Sequence, residues 1–337
     1  MMKTLHSGSL NINVGGPALS MSLTLKGLEK AGVKTVALCE QIPQNGKLIA
    51  PELNICFTHK SKYGTFAYVD NIKDCLKQER GIDIYHIHGT WMYHGLAISL
   101  YARKIKRPYL VSPRGMLYPQ AFAHHALLKK VMMELYQKKV FAGAACVQAT
   151  CKEEMEHYRA LGFKNPVAVL PNPIDINSFV DREIPDKQIF KIGYLGRLHP
   201  RKRVERLIYA FAELKDELKD CELTIIGSGD IQYQNFLKAE ANRLKLKNVI
   251  FTGFLTGKEK DDAITELSLL VVPSDFENFG NIVTEALVRG VPVIASKGMP
   301  WQELEKFHCG WWINNDQESI NRTLLEAFTL PLEERVQ

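Results

Sequence analysis

Two glutamates, Glu277 and Glu285, follow the apolar run Leu270–Val272 with seven residues between them. We expect Glu277 in the loop before a helix and Glu285 about two turns along that helix. Helical rise then separates the carboxylates by more than ~10 Å, too far for the ~5 Å pair of a retaining glycosidase. Separate roles follow, and the backbone amides of residues 279–281 would stand at a helix start, where hydroxyl or phosphate oxygens bind. The spacing alone is equally compatible with structural roles, in which Glu277 is a helix-start carboxylate and Glu285 is a solvated helix residue.

A group of cations ends the segment Gly193–Lys202, just after a predicted strand. Cations at the carboxyl end of a strand, before a helix, are well placed to hold a diphosphate. Arg197 can bind oxygens with its forked guanidinium, whereas Lys202 acts as a point charge. The alternative is that these cations bind nothing and simply lie at the start of a helix. Positive charge there opposes the helix dipole, however, so an opposite charge would be needed to compensate it.

Gly15 and Gly16 precede Pro17 after the first predicted strand. Paired glycines let a backbone approach a ligand closely at a helix start. Because the full G-x-G-x-x-G pattern is absent, a tight turn explains them about as well.

His86 and His88 share one face of another predicted strand, because strand side chains alternate. With no third Cys, His or carboxylate at ligand spacing, we do not expect a metal site. His88, at the carboxyl end of the strand, could be a polar contact or a proton carrier, and a structural role is the alternative.

Short β-branched runs alternate with longer amphipathic stretches, which predicts parallel sheets covered on both faces. The predicted strands are 4–6, 35–38, 84–87, 109–111, 146–149, 167–170, 190–195, 223–226, 249–251, 269–272 and 291–295. A Pro- and Asp-rich segment predicts a linker at about 176–185, between domains at 1–175 and 186–337. The fold class is therefore α/β, with two consecutive Rossmann-like doubly wound domains whose facing strand ends would define a central cleft.

Composition narrows the class of protein further. The 337 residues are 46% hydrophobic and 24% charged, which excludes disordered, collagen-like and disulfide-scaffold chains. The net charge of +6 is too mild to indicate nucleic-acid binding, but residues 1–170 contain 22 Lys and Arg against 11 Asp and Glu. Seven scattered cysteines, no signal-peptide pattern and no apolar run of ~20 residues predict a cytoplasmic protein that at most lies on a membrane surface.

Together these segments resemble the retaining glycosyltransferases of family 4 (group 1 type), which have the GT-B fold. The resemblance rests on E-x7-E and on G-R-L with its following Lys. Further matches are Gly-Gly-Pro at 15–17, His-Ile-His-Gly at 86–89, Pro-Asn-Pro-Ile-Asp at 171–175 and Gly-Ser-Gly at 227–229. It implies transfer of a sugar from a nucleotide donor, a UDP- or GDP-sugar, to a glycan or lipid-linked acceptor with the anomeric configuration kept.

The resemblance also implies roles for donor-side residues. Arg197 and Lys202 would neutralise the diphosphate as it departs, and Glu277 would hold hydroxyls of the donor sugar. The other implied donor contacts are Gly15 and Gly16 at the phosphates, Asn278, Phe279, Gly280 and Asn281 through their amides, Glu285 at the ribose, and Gly253 and Phe254 at the base.

On the acceptor side, the resemblance places His88 against the sugar or the acceptor hydroxyl and Arg114 along the acceptor. The first domain would handle the acceptor and the second the nucleotide sugar. The usual setting of similar proteins is synthesis of a bacterial surface polysaccharide. Basic residues of the first domain are candidates for contact with an anionic surface at the inner face of the membrane, and a solvated basic face is the alternative. These residues are Arg103, Lys104, Lys106, Arg107, Lys129, Lys130, Lys138 and Lys139.

No D-x-D triplet occurs, so we expect no metal and no cofactor, with Arg197 and Lys202 supplying the charge. The chain ends where the family normally continues through a final crossover helix, which leads us to expect a truncation. Two other functions share the architecture: a nucleotide-sugar 2-epimerase, which needs no acceptor, and a non-catalytic nucleotide-sugar-binding protein.

Overall fold

The computed structural model describes residues 1–42, 46–123, 125–176 and 189–331. The chain divides into two compact units, Met1–Ile174 and Asp175–Gln337. Residues 177–185 of the predicted linker lie outside the described residues.

The first unit contains a seven-stranded parallel sheet with helices between the strands. Its strands are β1 (Lys3–Gly8), β2 (Lys34–Glu40), β3 (Ile55–Thr58), β4 (Ile84–His88), β5 (Tyr109–Ser112), β6 (Cys146–Ala149) and β7 (Val167–Val169). Its helices are α1 (Gly16–Lys30), α2 (Ile72–Gln78), α3 (Tyr93–Lys104), α4 (Pro119–Ala123), α5 (Ala126–Met132), α6 (Lys138–Ala142) and α7 (Lys152–Ala160). A π-helical turn, Met133–Gln137, joins α5 to α6. The strand order is β3-β2-β1-β4-β5-β6-β7.

The second unit repeats the plan with six parallel strands. These are β8 (Lys191–Leu195), β9 (Glu222–Ile226), β10 (Val249–Gly253), β11 (Leu269–Val272), β12 (Val293–Ser296) and β13 (Gly310–Ile313). The helices are α8 (Val204–Glu213), α9 (Ile231–Arg243), α10 (Gly257–Thr265), α11 (Asn281–Leu287), α12 (Glu303–Lys306) and α13 (Gln317–Thr329). The strand order is β10-β9-β8-β11-β12-β13.

Alternating side chains of fully buried strands form a core on each face of the second sheet. Leu269 and Val271 of β11 pack into one apolar cluster, and Leu270 and Val272 pack into the other. Burial on both faces is what allows an unbroken apolar run to form a strand of a parallel sheet. The two doubly wound parallel sheets confirm the predicted fold class.

Each sheet has one point where the strand order reverses, between β1 and β4 in the first unit and between β8 and β11 in the second. Loops leave such a pair of strands in opposite directions, which opens a crevice beyond their carboxyl ends where ligands bind. The candidate site residues concentrate at these two reversal points.

Several local features differ from the predictions. The sequence pattern does not predict strands β3 and β13. Helix α11 begins at Asn281, so Glu285 lies about one turn into it rather than two. All seven cysteines are free thiols, and among the described residues no helix is long and apolar enough to cross a membrane.

Candidate active site

The first cluster lies at the reversal point of the second sheet. Lys202 ends a short 3₁₀ turn after β8, and Glu277 lies in the loop after β11. The ammonium Nζ of Lys202 contacts the carboxylate Oε1 of Glu277, and the two side chains are only 12% and 15% exposed. The loops are tied by backbone bonds from Asp275 N to the carbonyl of Arg201 and from Glu277 N to that of Gly298, both at 2.9 Å. The predicted cation and the predicted glutamate therefore meet as a largely buried ion pair.

Opposing influences act on the Lys202 ammonium. Burial, followed by the charges of Arg201 and Arg197, lowers the pKa of Lys202 to about 7. The Glu277 carboxylate acts in the opposite sense, because a negative charge in contact favours the ammonium. Arg197 itself is exposed. The cluster thus contains more positive than negative charge in a partly dehydrated place.

A neighbouring ion network compensates two further cations, Arg203 and Arg206. Arg203 Nε donates to Asp275 Oδ2 at 2.5 Å, and Asn315 Nδ2 donates to Asp275 Oδ1 at 3.0 Å. Arg206 Nη1 lies 3.6 Å from the same carboxylate. Asp275 therefore compensates Arg203 and Arg206, and it leaves Arg197, Arg201 and Lys202 with Glu277.

The Gly-Ser-Gly segment serves packing between two loops. A Cβ at Gly227 would lie 1.9 Å from the carbonyl oxygen of Gly196, and one at Gly229 would lie 2.2 Å from that of Leu198. Leu198 N donates to the Ser228 carbonyl at 3.0 Å. The glycines let this loop lie directly against the one that carries Arg197.

The remaining predicted donor residues of the E-x7-E segment are partly or fully buried. Phe279 packs against Trp301 with ring centroids 5.0 Å apart, and the Trp301 indole donates to the Phe279 carbonyl. Gly280 has φ +80°, a left-handed conformation that favours glycine just before α11. Asn278 and Asn281 flank these two residues and are partly buried.

Glu285 is not a solvated helix residue, because its side chain is largely buried and its Oε2 accepts from Lys260 Nζ at 2.8 Å. The two glutamates contact different lysines, which agrees with separate roles. At the end of β10, Gly253 has φ +77°, and Phe254, which follows it, is 57% exposed. An exposed ring at a strand end offers a surface on which a flat base can stack.

The second cluster lies at the reversal point of the first sheet and consists of three buried histidines. His6 of β1 is in register with His86 of β4, and His88 follows two residues later on the same face. The rings of His86 and His88 stack with centroids 4.1 Å apart. Burial lowers the pKa of His6 to about 4 and those of His86 and His88 well below 6.5, so all three rings are neutral near pH 7.

Hydrogen bonding determines which nitrogen of two of these rings carries the proton. Arg114 Nη2 lies 2.9 Å from His88 Nδ1, and a guanidinium can only donate, so Nδ1 accepts. The proton of His88 is then on Nε2, which donates to His6 Nδ1 at 3.1 Å. His6 in turn donates from Nε2 to the Thr4 hydroxyl at 3.1 Å. Arg114 thus begins a directed chain through His88 and His6 to Thr4.

The expectation that no third metal ligand lies near His86 and His88 is wrong, because ligand atoms of His6, His86 and His88 lie within 4.8 Å of one another. The three residues still fit a metal poorly. Both nitrogens of His6 and of His88 are used in the hydrogen-bonded chain, and His86 Nε2 bonds the Ser112 hydroxyl at 2.7 Å. The adjacent guanidinium of Arg114 also repels a cation.

His88 is buried, with both ring nitrogens engaged, so a sugar or acceptor hydroxyl could reach it only if one of these bonds broke. Arg114 is held additionally by Ser20 Oγ of α1 at 2.9 Å and by Asn172 Oδ1 at 2.5 Å. Gly15 and Gly16 lie exposed where α1 begins, and Gly15 has φ +77° with open space around its Cα. Sequence reasoning missed His6, because only the pairing of β1 with β4 brings it to His88.

Acid should destabilise the first unit through these histidines. An unfolded histidine has a pKa of about 6.5, and the folded values are lower, so the unfolded state binds more protons between about pH 6.5 and pH 4. The free energy of unfolding should therefore fall as the pH falls through that window, by about 2 kcal/mol at pH 5 for His6 alone, and His86 and His88 act in the same direction.

Amide hydrogen exchange can measure this loss of stability at pH 7 and pH 5. Protection is compared in peptides that contain β1 and β4, after correction for intrinsic exchange rates. His6→Asn should lose part of the pH dependence, whereas His308→Asn, at an exposed position in the second unit, should retain it. Equal protection of the wild-type peptides at both pH values would contradict this role of the histidines.

Comparison with known proteins agrees with this fold. Residues 15–173 match the family described as glycosyl transferase 4-like domain, and residues 176–337 match glycosyl transferases group 1. A GDP-mannose-dependent alpha-mannosyltransferase of Mycolicibacterium smegmatis is 37% identical over 108 residues, which cover 31% of this chain and 24% of that protein. An uncharacterised glycosyltransferase of Methanocaldococcus jannaschii is 31% identical over 255 residues, 68% of this chain and 62% of that protein. The chain therefore spans less than two thirds of either relative.

Among solved structures, HepE of Anabaena in complex with UDP and glucose has the same fold, with a TM-score of 0.80 at 17% identity over 100% of this chain and 92% of that chain. The two family matches adjoin and together take in nearly all of the sequence, and the fold of both units agrees with them. The chain therefore belongs to the group 1 glycosyltransferases with the GT-B fold.

Proposed function

We propose that the protein transfers a sugar from a nucleoside-diphosphate sugar to a glycan or lipid-linked acceptor and keeps the anomeric configuration. The observation that supports this most is the Lys202–Glu277 pair at the reversal point of the second sheet, with Arg197 and Arg201 close enough to lower the pKa of Lys202. A departing nucleoside diphosphate develops negative charge, and fixed positive charge stabilises it most when water is partly excluded.

In this mechanism Lys202 and Arg197 bind the diphosphate and supply the charge that a metal ion would provide in other transferases. Glu277 orients the Lys202 ammonium and accepts from hydroxyls of the donor sugar. Because Glu277 is engaged with Lys202 and Glu285 with Lys260, neither carboxylate is an unengaged nucleophile. Departure and attack on the same face of the sugar would keep the configuration without a covalent intermediate.

For the rest of the donor, Phe254 would stack the base and Glu285, held by Lys260, would accept from the ribose. Gly15, Gly16, Gly253 and the segment Asn278–Asn281 would provide backbone contacts. The relative from M. smegmatis uses GDP-mannose and the HepE structure contains UDP, so both nucleotides are candidates. His88 would act through Arg114 rather than touch the sugar.

For the acceptor side, we propose that the first unit lies on an anionic membrane surface during synthesis of a bacterial surface polysaccharide. Leu127 and Leu135 of the α5–α6 segment are 78% and 68% exposed, and Val131, midway between them, is also exposed. Spacing of four residues places the three on one helical face. Lysines flank this face at positions 129, 130, 138 and 139, and exposed leucine beside lysine suits the boundary between anionic headgroups and acyl chains.

A donor screen by mass spectrometry tests the proposed activity. The full chain is incubated with common UDP- and GDP-sugars, with and without a lipid-linked glycan extract, and with a chelator in a parallel series. We expect hydrolysis or transfer of one donor class, unchanged by the chelator. Epimer formed without acceptor would support an epimerase instead, and loss of turnover with the chelator would contradict metal independence.

Matched variants connect that activity to the ion pair. Lys202→Met and Glu277→Gln should each lower turnover at least about a hundredfold, because each removes a charge-assisted contact worth about 3 kcal/mol. Lys258→Met, which removes a lysine from the exposed Lys258–Asp262 pair, should retain wild-type rates. Near-normal rates in the first two variants would overturn the assignment.

Vesicle sedimentation at low salt tests the membrane surface. The protein should bind vesicles that contain phosphatidylglycerol, and release should follow added salt, since the attraction is partly electrostatic. Leu127→Glu with Leu135→Glu should abolish binding, whereas Ile231→Glu, at a position of similar exposure in the second unit, should not. Equal binding by all three proteins would exclude this face.

A further inference from the structure

Arg114 has an arrangement that its role in the fold does not explain. It lies at the reversal point of the first sheet, and its guanidinium contacts three partners from separate parts of the unit: His88 of β4, Ser20 of α1 and Asn172 after β7. We propose that Arg114 is the centre of a binding site for an oxyanion, a phosphoryl group of a substrate. Which substrate supplies that group rests on the proposed function.

The partners of Arg114 hold it without neutralising it. His88 accepts through Nδ1 of a neutral ring, Ser20 through its hydroxyl and Asn172 through its amide oxygen. Among the described residues, no carboxylate lies within ion-pair distance of the guanidinium. Charged groups removed from water in proteins are ordinarily paired with an opposite charge. The direct contacts of the guanidinium therefore provide no opposite charge, and a ligand can supply one.

The acid that could have compensated Arg114 is committed elsewhere. Glu154 Oε1 accepts from Gly115 N at 2.6 Å, and Oε2 accepts from Thr150 N at 2.7 Å and from the Thr150 hydroxyl at 2.9 Å. Its fully buried carboxylate thus fixes the backbone just after Arg114 and the turn after β6. The Glu154 charge still raises the pKa of Arg114 through space, but the carboxylate shapes the loop and makes no ion pair with the arginine.

The backbone also holds Arg114 in place at a cost. Arg114 has φ +56° and Gly115 has φ +78°, so a non-glycine residue adopts the left-handed conformation here. Such conformations persist where surrounding contacts enforce them, and they are frequent at ligand sites. The hydrogen bonds from His88 to His6 and from His6 to Thr4 extend from Arg114 into the sheet and further restrain its position.

The guanidinium retains donors for a ligand. Two of its contacts leave from Nη1 and one from Nη2, which leaves the Nε hydrogen and a second Nη2 hydrogen without a partner among the described residues. Two such N–H groups form the edge with which arginine binds phosphate in a fork. Ser20 is the fifth residue of the 15-residue helix α1, so the positive end of that helix adds to the field at this site.

The phosphoryl group could come from the donor diphosphate or from a phosphorylated acceptor. Equilibrium dialysis of the full chain with labelled inorganic phosphate, with UDP and with GDP distinguishes these sources. The measured proteins are wild type, Arg114→Met, Arg114→Lys and a matched control, Arg80→Met, which removes an exposed arginine of the same unit.

If the donor supplies the group, nucleotide displaces phosphate, and Arg114→Met weakens nucleotide binding about tenfold or more. If the acceptor supplies it, phosphate still binds in the presence of saturating nucleotide. Arg114→Met then weakens phosphate binding about tenfold or more, and nucleotide binding is not weakened to that degree. Arg114→Lys should show a smaller loss, because the charge remains while the fork is absent, and it keeps the test decisive if Arg114→Met does not fold. Arg80→Met should bind as the wild type does.

Phosphate and nucleotide binding unaltered by Arg114→Met, or no saturable binding of phosphate or either nucleotide to the wild type, would overturn the proposal. Binding is measured without turnover. Failure of this site therefore leaves the donor screen untouched, and an inactive donor screen leaves the dialysis result interpretable.

Discussion

Both sites depend on one constraint. In each, a cationic side chain is removed from water at the carboxyl ends of the central strands. Lys202 and Arg114 lie at the two places where strand order reverses, and burial lowers the pKa of the first to about 7 and of the second to about 10. Neither arrangement is the most stable one for an isolated protein, since well-compensated or apolar side chains would bury at lower cost. An anionic ligand would relieve both, so under our proposals stability is exchanged for ligand affinity where the fold opens its crevices.

The two units restrain their cations in different ways. In the second unit a carboxylate, Glu277, contacts Lys202, and Asp275 removes Arg203 from the cluster. In the first unit only neutral acceptors hold Arg114, and they are themselves fixed by a chain of hydrogen bonds that runs back into the sheet. A flexible lysine needs a charged partner to keep its direction, whereas the planar arginine is fixed by geometry alone.

Most of the architecture could be predicted from the alternation of short apolar runs with amphipathic stretches, because an unbroken apolar run of strand length is typical of a parallel strand buried on both faces. The missed strands, β3 and β13, are four-residue edge strands that pair on one side only, and half-buried residues dominate both. Type and spacing singled out Lys202 and Glu277, and the fold brings the two side chains into contact; their roles stay predictions. His6 could not be found in this way, because its contact with His88 spans 82 positions and depends on strand order. The Gly-Ser-Gly motif was visible, but only the loop contact at Gly196 shows why glycine is needed there.

Titration of Lys202 is the most direct test of whether it is a destabilised cation held for a diphosphate. Lysine side-chain carbons labelled with ¹³C can be followed by NMR from pH 5 to pH 11, with the Lys202 signal assigned by its absence in Lys202→Arg. We predict a midpoint near pH 7 in the free protein and an upward shift of about one unit or more with UDP or GDP, since a bound diphosphate favours the ammonium. An ordinary midpoint of about 10.4 in the free protein, or no movement with either nucleotide, would contradict this role of Lys202.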